Sequence, residues 1–326
     1  MTLAFDVLRA CSTIWGVHMV FMTPLAAETQ ALPLEFKAPS AKIETIEAPE
    51  IDAAAWRTEH FTLLSDTPIP ATVLQRLANT IESVPKVLQA LPLPLLGIND
   101  KTQANIRFCR DEERFTQFGG PASSAGLYQP RENRILIRAD LLLSPQQSRR
   151  VRLNGQLEEG LLVHELCHLT TARTLGLAPT WLSEGIAEYL SITHQQGGHY
   201  RFDNSPQFIR QHFKMHLGTK DFADLELPSL SQVLALSHRS WAQEIAISDP
   251  ADRYLPYATS LLFTHYLIEG GQARRQELSK YLTALKEPRS RRQPAPEFNI
   301  GNPEEIEARL VRFWSTRGLK LRFRKP

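Results

Sequence analysis

The feature that most constrains this chain is the segment Leu162-Val-His-Glu-Leu-Cys-His-Leu169, in which His164 and His168 are four residues apart. On an α-helix this spacing places both imidazoles on one face, one turn apart, where both can bind one metal ion. Zinc is the natural candidate, because it is redox-inert and well matched to imidazole and carboxylate ligands. Glu165 faces the open side of such a site, where it can act as a general base.

A second segment, Trp181-Leu-Ser-Glu-Gly-Ile-Ala-Glu-Tyr189, supplies two carboxylates at helical spacing. Glu184 lies early in this predicted helix and is the expected third metal ligand. Glu188 follows one turn later on the same face, where it is expected to accept the free ring N–H of His164 and so define its tautomer. A solvated helix face is the alternative for both carboxylates. However, the rest of the segment is largely apolar, and a carboxylate pair in apolar surroundings needs a partner.

Together, the two segments resemble the signature of a known family. His164-Glu165-x-x-His168 followed by Trp181-Leu-x-Glu184-Gly-x-Ala-Glu188-Tyr189 is similar to the gluzincin zinc metallopeptidases, in particular to the bacterial peptidase MA-like domains. The likeness is close over residues 160–190 and looser over residues 56–271. It implies a zincin-like fold and a peptide or protein substrate.

The resemblance also implies a role for each matched residue. His164, His168 and Glu184 would bind zinc, and Glu165 would be the general base in peptide-bond hydrolysis. The metzincin alternative needs a glycine and a third histidine soon after the motif, and residues 169–174 supply neither.

The chain has three cysteines, Cys11, Cys109 and Cys167, which are too few for a disulfide scaffold. Cys167 lies between the two predicted histidine ligands and is interpreted as a small buried thiol that points away from the metal. Cys109 and Cys167 can pair only if their backbones come close together. A redox protein built on them is disfavoured, because the chain has no C-x-x-C motif.

The N-terminus has the pattern of an export signal. Arg9 precedes a long uncharged run that ends at the small pair Ala26-Ala27. Residues 1–27 are therefore predicted to be a signal peptide that directs the chain to the periplasm or the exterior, with an uncleaved membrane anchor as the alternative. Residues 28–55 show little hydrophobic periodicity and are predicted to be a linker.

Residues 56–287 are predicted to form one α+β domain, in which a small N-terminal sheet with a helix (56–140) precedes a mainly helical lobe that carries the histidine motif (141–287). A chain of 326 residues is long enough to bury such a core. Strands are expected at residues 59–65, 104–109, 126–128 and 134–138, and helices at 70–88, 206–217, 230–236, 254–269 and 272–286.

Two further assignments follow from the resemblance. In gluzincins an extended substrate pairs with an exposed strand edge beside the metal, and the segment Ser124 to Tyr128 is the candidate edge. An ordinary internal hairpin is the alternative. The segment from Tyr254 to Leu267 is similar to the family helix behind the metal, which makes Tyr257 the candidate donor to an oxyanion and His265 a weaker candidate. Helix packing is the alternative for both.

The remaining charged and histidine residues indicate no second function. The net charge of +2 excludes a molecule built as a whole to bind nucleic acid. The scattered histidines complete no metal spacing and are interpreted as surface or core residues, namely His194, His199, His212, His216 and His238. Residues 288–326 form a basic C-terminal extension, in which residues 303–316 have a helical hydrophobic pattern. The strongly cationic residues 317–326 are interpreted as a solvated tail, with a weak contact to an anionic envelope surface as the alternative.

These observations favour an exported zinc metallopeptidase. The competing interpretation is an exported zinc-binding interaction protein that has the same site but cleaves nothing. The presence of Glu165 favours the enzyme, because a purely structural zinc site has no use for a general base at that position.

Overall fold

The computed structural model describes residues 31–50, 53–95, 103–122, 124–143, 145–218, 224–249, 252–288 and 293–325, with backbone alone over 145–158. The predicted signal peptide at residues 1–27 lies outside them. Within these ranges, no helix combines the length and the apolar character that a bilayer crossing requires.

The described elements include both strands and helices in the first half of the chain and are mainly helical in the second half. The strands are β1 (Glu35–Lys37), β2 (Glu44–Ile46), β3 (Ala54–Arg57), β4 (Phe61–Ser65), β5 (Ala104–Cys109), β6 (Gly126–Gln129), β7 (Arg134–Arg138), β8 (His194–Gln196), β9 (His199–Arg201), β10 (Leu225–Leu227) and β11 (Leu321–Phe323). The helices are α1 (Ala71–Ala90), α2 (Glu112–Gln117), α3 (Ala139–Leu143), α4 (Pro145–Leu175), α5 (Thr180–Thr193), α6 (Ser205–His216), α7 (Leu230–Leu234), α8 (His238–Ile247), α9 (Leu255–Glu269), α10 (Gln272–Lys286) and α11 (Pro303–Ser315).

A six-stranded sheet in the order β2-β3-β4-β5-β7-β6 forms one layer. Strands β4, β5 and β7 run parallel, and α1 connects β4 to β5. The central strand β5 is almost entirely buried, as expected for a parallel strand that is covered on both faces. Strand β6 pairs with β7 alone and forms an edge of this sheet, which places the predicted 126–138 hairpin at the border of the layer.

Helix α5 packs between α4 and α9 and is buried along nearly all of its length. A Cβ atom at Gly185 would lie 2.6 Å from the carbonyl oxygen of Ser260 and would overlap the hydroxyl of Thr264 on α9. Only glycine therefore allows α5 and α9 to approach so closely, and this approach determines where the carboxylates of α5 lie.

A buried carboxylate holds the motif helix α4 against the sheet layer. Glu159 is fully buried and accepts hydrogen bonds from Thr80 Oγ1 on α1 over 3.0 Å and from the Gly197 amide between β8 and β9 over 3.1 Å. Arg76 supplies the opposite charge, which a buried carboxylate requires. These contacts fix α4 relative to α1 and to the β8–β9 hairpin.

The structure contradicts the prediction that residues 28–55 are a linker. Strand β1 pairs antiparallel with β9, and β2 pairs antiparallel with β3. Both strands are only three residues long. Such short strands show no periodicity of their own, because their partners rather than their sequence determine that they are extended.

The prediction of a solvated tail after residue 316 is also wrong. Helix α11 forms where the hydrophobic pattern predicts it, and Trp314 is fully buried in the main core. Strand β11 then pairs in parallel with β10, and Leu321 is buried. Arg322 lies 3.2 Å from Asp224, so part of the basic charge is paired within the domain.

Cys109 and Cys167 do not form a disulfide in the structure, and both are buried free thiols. Cys167 lies in the main hydrophobic core, as predicted for a residue on the far side of α4. Cys109 packs in a separate small cluster with Phe115 and Leu136. Neither thiol faces the predicted metal ligands.

Candidate metal centre

Three side chains from two antiparallel helices converge at one point. His164 and His168 lie on α4, and Glu184 lies on α5. The Nε2 atoms of the two histidines are 3.0 Å apart. Glu184 Oε2 lies 3.3 Å from Nε2 of His164 and 3.5 Å from Nε2 of His168. The structure thus brings together all three residues that the sequence predicts as metal ligands.

The distances among these donor atoms suit a zinc ion. In a tetrahedral site with Zn–N and Zn–O bonds of about 2.0–2.2 Å, neighbouring donors are about 3.3–3.6 Å apart. The observed separations of 3.0, 3.3 and 3.5 Å are close to one face of such a tetrahedron. Two imidazoles and one carboxylate also match the donor preference of zinc, and three protein ligands are typical of catalytic rather than structural sites.

Glu188 binds the far side of the first histidine. Its Oε1 lies 3.0 Å from Nδ1 of His164, so the predicted contact is confirmed. Its Oε2 accepts hydrogen bonds from the hydroxyl of Tyr254 over 2.6 Å and from Nε2 of His212 over 3.1 Å. Because Nδ1 of His164 donates to Glu188, Nε2 presents its lone pair to the other two ligands.

Ser183 plays the equivalent part for the second histidine. Its Oγ lies 3.3 Å from Nδ1 of His168. A hydrogen bond from Nδ1–H to this hydroxyl leaves Nε2 of His168 unprotonated and facing Glu184. Sequence analysis did not single out Ser183, although it directly precedes a predicted ligand.

The site carries buried negative charge. Burial raises the pKa of the Glu184 carboxyl, but His168 and His164, when their imidazoles are protonated, outweigh burial and hold this pKa well below its ordinary value. Burial likewise opposes ionisation of Glu188, and hydrogen bonds from His164 and His212 hold its pKa well below the ordinary value. Both carboxylates are therefore anions at neutral pH, and a divalent cation is a suitable counter-ion.

Glu165 lies where the motif helix meets the edge strand. Its Oε2 accepts a hydrogen bond from the backbone amide of Tyr128 over 2.8 Å. A Cβ atom at Gly126 would lie 3.2 Å from Cγ of Glu165, so the absence of a side chain at this position makes room for the carboxylate. The candidate edge and the candidate base are thus in direct contact.

A cleft of about 590 Å³ opens beside His164, the first of the three predicted ligands. His164, Glu165 and Tyr257 line it together. Much of the remaining wall is apolar and comes from α3, α4, α5 and α6, with Leu141, Leu161, Ile192, Phe208 and Met215 among the lining residues. The cleft is therefore suited to an apolar group held next to the ligands.

Tyr257, the candidate oxyanion donor, lines the cleft near His164. Its ring centroid lies 6.4 Å from that of His164, and its ring stacks on Tyr254 and meets the edge of Trp241. Burial and the nearby charge of Glu184 raise the pKa of the Tyr257 phenol above its ordinary value. The hydroxyl therefore keeps its proton at neutral pH and can donate a hydrogen bond into the cleft.

His265, the weaker candidate, lies away from the site. It is fully buried, and its Nε2 lies 2.9 Å from Oγ of Ser205 and 3.3 Å from Glu269. Ser205 is also fully buried and does not line the cleft. This grouping has the residue types of a hydrolase triad but no access for a substrate, and its role is to join α6 to α9.

Sequence analysis missed two histidines of the cleft. His212 and His216 lie on α6, line the cleft and have ring centroids 4.3 Å apart. The available signal was their i, i+4 spacing, which is the same as that of His164 and His168. This spacing alone does not indicate a metal site, because the sequence offers no third ligand for the pair.

Among the described residues, one other cluster combines metal-ligating side chains, namely Glu59, His60 and Glu82. Glu82 is buried and accepts hydrogen bonds from the backbone amide and Nδ1 of His60 over 2.8 and 2.6 Å. Glu59 pairs with Lys86 at 3.0 Å. The donors and acceptors of this cluster satisfy one another, so the contacts tie the loop before β4 to α1.

No family model matches the chain, and no curated protein sequence is significantly similar to it. The function is therefore inferred from the geometry of the site.

Proposed function

We propose that the protein is a zinc-dependent metallopeptidase of the gluzincin kind, with a zincin-like domain. The observation that carries the proposal is the convergence of His164, His168 and Glu184, whose ligand atoms all lie within 4.8 Å of one another. Glu165 lines the same cleft as His164. A carboxylate placed in this way beside three zinc ligands is suited to general-base chemistry.

Each residue of the cleft has a distinct task in this proposal. Zinc bound by His164, His168 and Glu184 would supply Lewis acidity, which polarises a carbonyl group and makes water more acidic. Glu165 takes a proton from the attacking water and passes it to the leaving amine. Tyr257 donates its phenolic hydrogen to the oxyanion that develops on the scissile carbonyl.

An extended peptide would lie along β6 and fill the apolar cleft with a side chain. Three backbone groups of this edge already have side-chain partners within the chain. Ser124 Oγ accepts a hydrogen bond from the Gly126 amide and donates one to the Gly126 carbonyl. Glu165 accepts a hydrogen bond from the Tyr128 amide. Substrate pairing by strand addition therefore requires these local hydrogen bonds to exchange for intermolecular ones.

A search for new protein N-termini tests peptidase activity directly. A proteome extract is incubated with zinc-loaded wild-type protein or with zinc-loaded Glu165→Gln, and the N-termini formed in each reaction are compared. The proposal expects cleavage products with the wild type that are absent with the variant. The absence of wild-type products, with zinc bound, would instead support the zinc-binding interaction protein that cleaves nothing.

We also propose that the chain is exported. The support is the N-terminal pattern of Arg9, an uncharged run and the pair Ala26-Ala27. N-terminal sequencing of the envelope and secreted fractions tests this proposal. Cleavage near residue 27 is expected, whereas an intact Met1 in a soluble cytosolic fraction would contradict export.

A further inference from the structure

Glu188 accepts hydrogen bonds from three different segments of the fold. Its Oε1 is bonded to Nδ1 of His164 on α4, at 3.0 Å. Its Oε2 is bonded to His212 on α6 at 3.1 Å and to the hydroxyl of Tyr254, directly before α9, at 2.6 Å. The Glu188 side chain is only 10% exposed, so these three groups, rather than bulk water, satisfy its charge.

The donors on Oε2 determine how firmly Oε1 is held. A carboxylate rotates as a rigid unit, so fixing one oxygen limits where the other can lie. Without His212 and Tyr254, Oε2 would be a buried acceptor with no described donor, and Glu188 would reorient towards any water it could reach. The ring of His164 would then lose the partner that aligns its Nε2 with Glu184.

Two neighbouring rings keep these donors in place. The ring of Tyr254 stacks on Tyr257 at 5.8 Å between centroids and on His216 at 4.5 Å. The ring of His212 lies 5.3 Å from that of Tyr254, in an edge-to-face arrangement. Stacked and edge-to-face aromatic contacts of this kind limit ring rotation, so both donors are positioned before a metal binds.

We propose that His212 and Tyr254 are positioning residues of the zinc site, which act on His164 through the carboxylate of Glu188. This inference rests on the proposed zinc site but assigns roles that the zinc-ligand motif itself does not contain. Both residues increase zinc affinity by holding Glu188 in the orientation that His164 requires. Neither residue needs to touch zinc or the substrate.

His216 offers a matched control. It lies one turn after His212 on the same helix and lines the same cleft. Its described contacts are ring contacts with His212 and Tyr254, and no described hydrogen bond joins it to Glu188. A histidine that matters only for the shape or charge of the cleft would resemble His216, whereas a positioning residue would differ from it.

Zinc affinity, measured by competition with a chromogenic chelator on the full chain, tests the proposal without relying on peptidase activity. His212→Ala and Tyr254→Phe are each expected to weaken zinc binding by about threefold to tenfold, somewhat less than the roughly 10–100-fold typical of losing a direct partner of a ligand. His216→Ala removes a ring contact of Tyr254 but no donor to Glu188, so it is expected to lose less zinc affinity than either of these variants. His212→Gln, which places an amide N–H near the former Nε2, is expected to recover most of the lost affinity.

A double-mutant cycle identifies the route of the effect. In a Glu188→Ala background, His212→Ala is expected to cause no further loss of zinc affinity, because the carboxylate through which His212 acts on His164 is absent. Absorption spectra of the cobalt-substituted proteins should change more in His212→Ala and Tyr254→Phe than in His216→Ala. Thermal unfolding of each variant shows which proteins are folded, and Tyr254→Phe, which removes only one oxygen, keeps the comparison possible if His212→Ala is unstable.

The possible failures are distinguishable. A folded wild-type protein that binds no zinc would refute the proposed function and this inference together. Tight zinc binding by the wild type with unchanged affinity in both His212→Ala and Tyr254→Phe would refute the positioning roles alone. An equal loss in His216→Ala, or an undiminished effect of His212→Ala without Glu188, would also refute them.

Discussion

The backbone amide of Tyr128 donates a hydrogen bond to Glu165 Oε2 over 2.8 Å, which links the edge strand β6 to helix α4, the helix that carries the histidine motif. The bond fixes one oxygen of the carboxylate, and the side chain lines the cleft beside His164. The sheet therefore contributes to the site by orienting the candidate base, in addition to any contact with substrate.

Glu165→Gln should abolish turnover without loss of zinc. Glutamine has nearly the same shape as glutamate and can still accept the Tyr128 hydrogen bond, but it cannot take a proton from water. Peptidase kcat should fall by at least about 10²-fold, while zinc content measured by elemental analysis stays at the wild-type level. Undiminished turnover in this variant would show that another group is the base.

A side chain at position 126, in place of Gly126, should displace the carboxylate of Glu165. A Cβ atom there would lie 3.2 Å from both Cγ of Glu165 and Cδ1 of Ile137, and 3.3 Å from Cδ2 of Leu161. Gly126→Ala should therefore lower kcat, and Gly126→Val should lower it further, because small displacements of a catalytic group cost up to about 10²-fold in rate. Steady-state kinetics at full zinc occupancy measures both effects. Equal kcat for glycine, alanine and valine at this position would contradict the packing argument.

Gly185→Ala should destabilise the fold although alanine is the better helix former. The propensity gain is about 1 kcal/mol. The added methyl group would lie 2.6 Å from the carbonyl oxygen of Ser260 and would overlap the hydroxyl of Thr264, and overpacking of this kind costs about 1–3 kcal/mol or more. Chemical denaturation should show a net loss of unfolding free energy. A more stable Gly185→Ala protein would mean that α5 and α9 separate easily.

The two core thiols should be unreactive in the native protein. Burial raises the pKa of both Cys109 and Cys167 to about 12. At pH 8 roughly one thiol in ten thousand would then be ionised, and the thiolate is the reactive form. A Cys11→Ser protein should react with a thiol reagent only after addition of guanidinium chloride. Cys109 and Cys167 should then become reactive at the same denaturant concentration. Rapid native labelling would place at least one thiol at the surface.

The convergence of the three candidate ligands could be predicted from sequence because its constraints are local. Helical spacing alone brings His164 and His168 together. The turn after Leu175 and the apolar pattern of α5 then limit where Glu184 and Glu188 can lie. The same kind of local pattern predicts α10 and β5 with the bounds that the structure shows.

The rest of the site depends on contacts between distant segments. His212 and Tyr254 reach Glu188 only because α6 and α9 pack against α5, and no spacing in the chain encodes that approach. The short strands β1, β2 and β11 were missed for the same reason, since each is extended because of a partner far away in sequence. Local propensity carries no information about such pairing.

Zinc stoichiometry and affinity, measured on the purified wild-type chain beside Glu184→Ala, test the central claim most directly. Glu184 Oε2 lies 3.3 and 3.5 Å from the two imidazole nitrogens, so its removal takes one of three ligands from the metal. The wild type should bind one zinc ion per chain tightly, and the variant should bind it at least about 100-fold more weakly while remaining folded. A wild-type protein without affinity for zinc, or a Glu184→Ala protein that binds zinc equally well, would contradict the account.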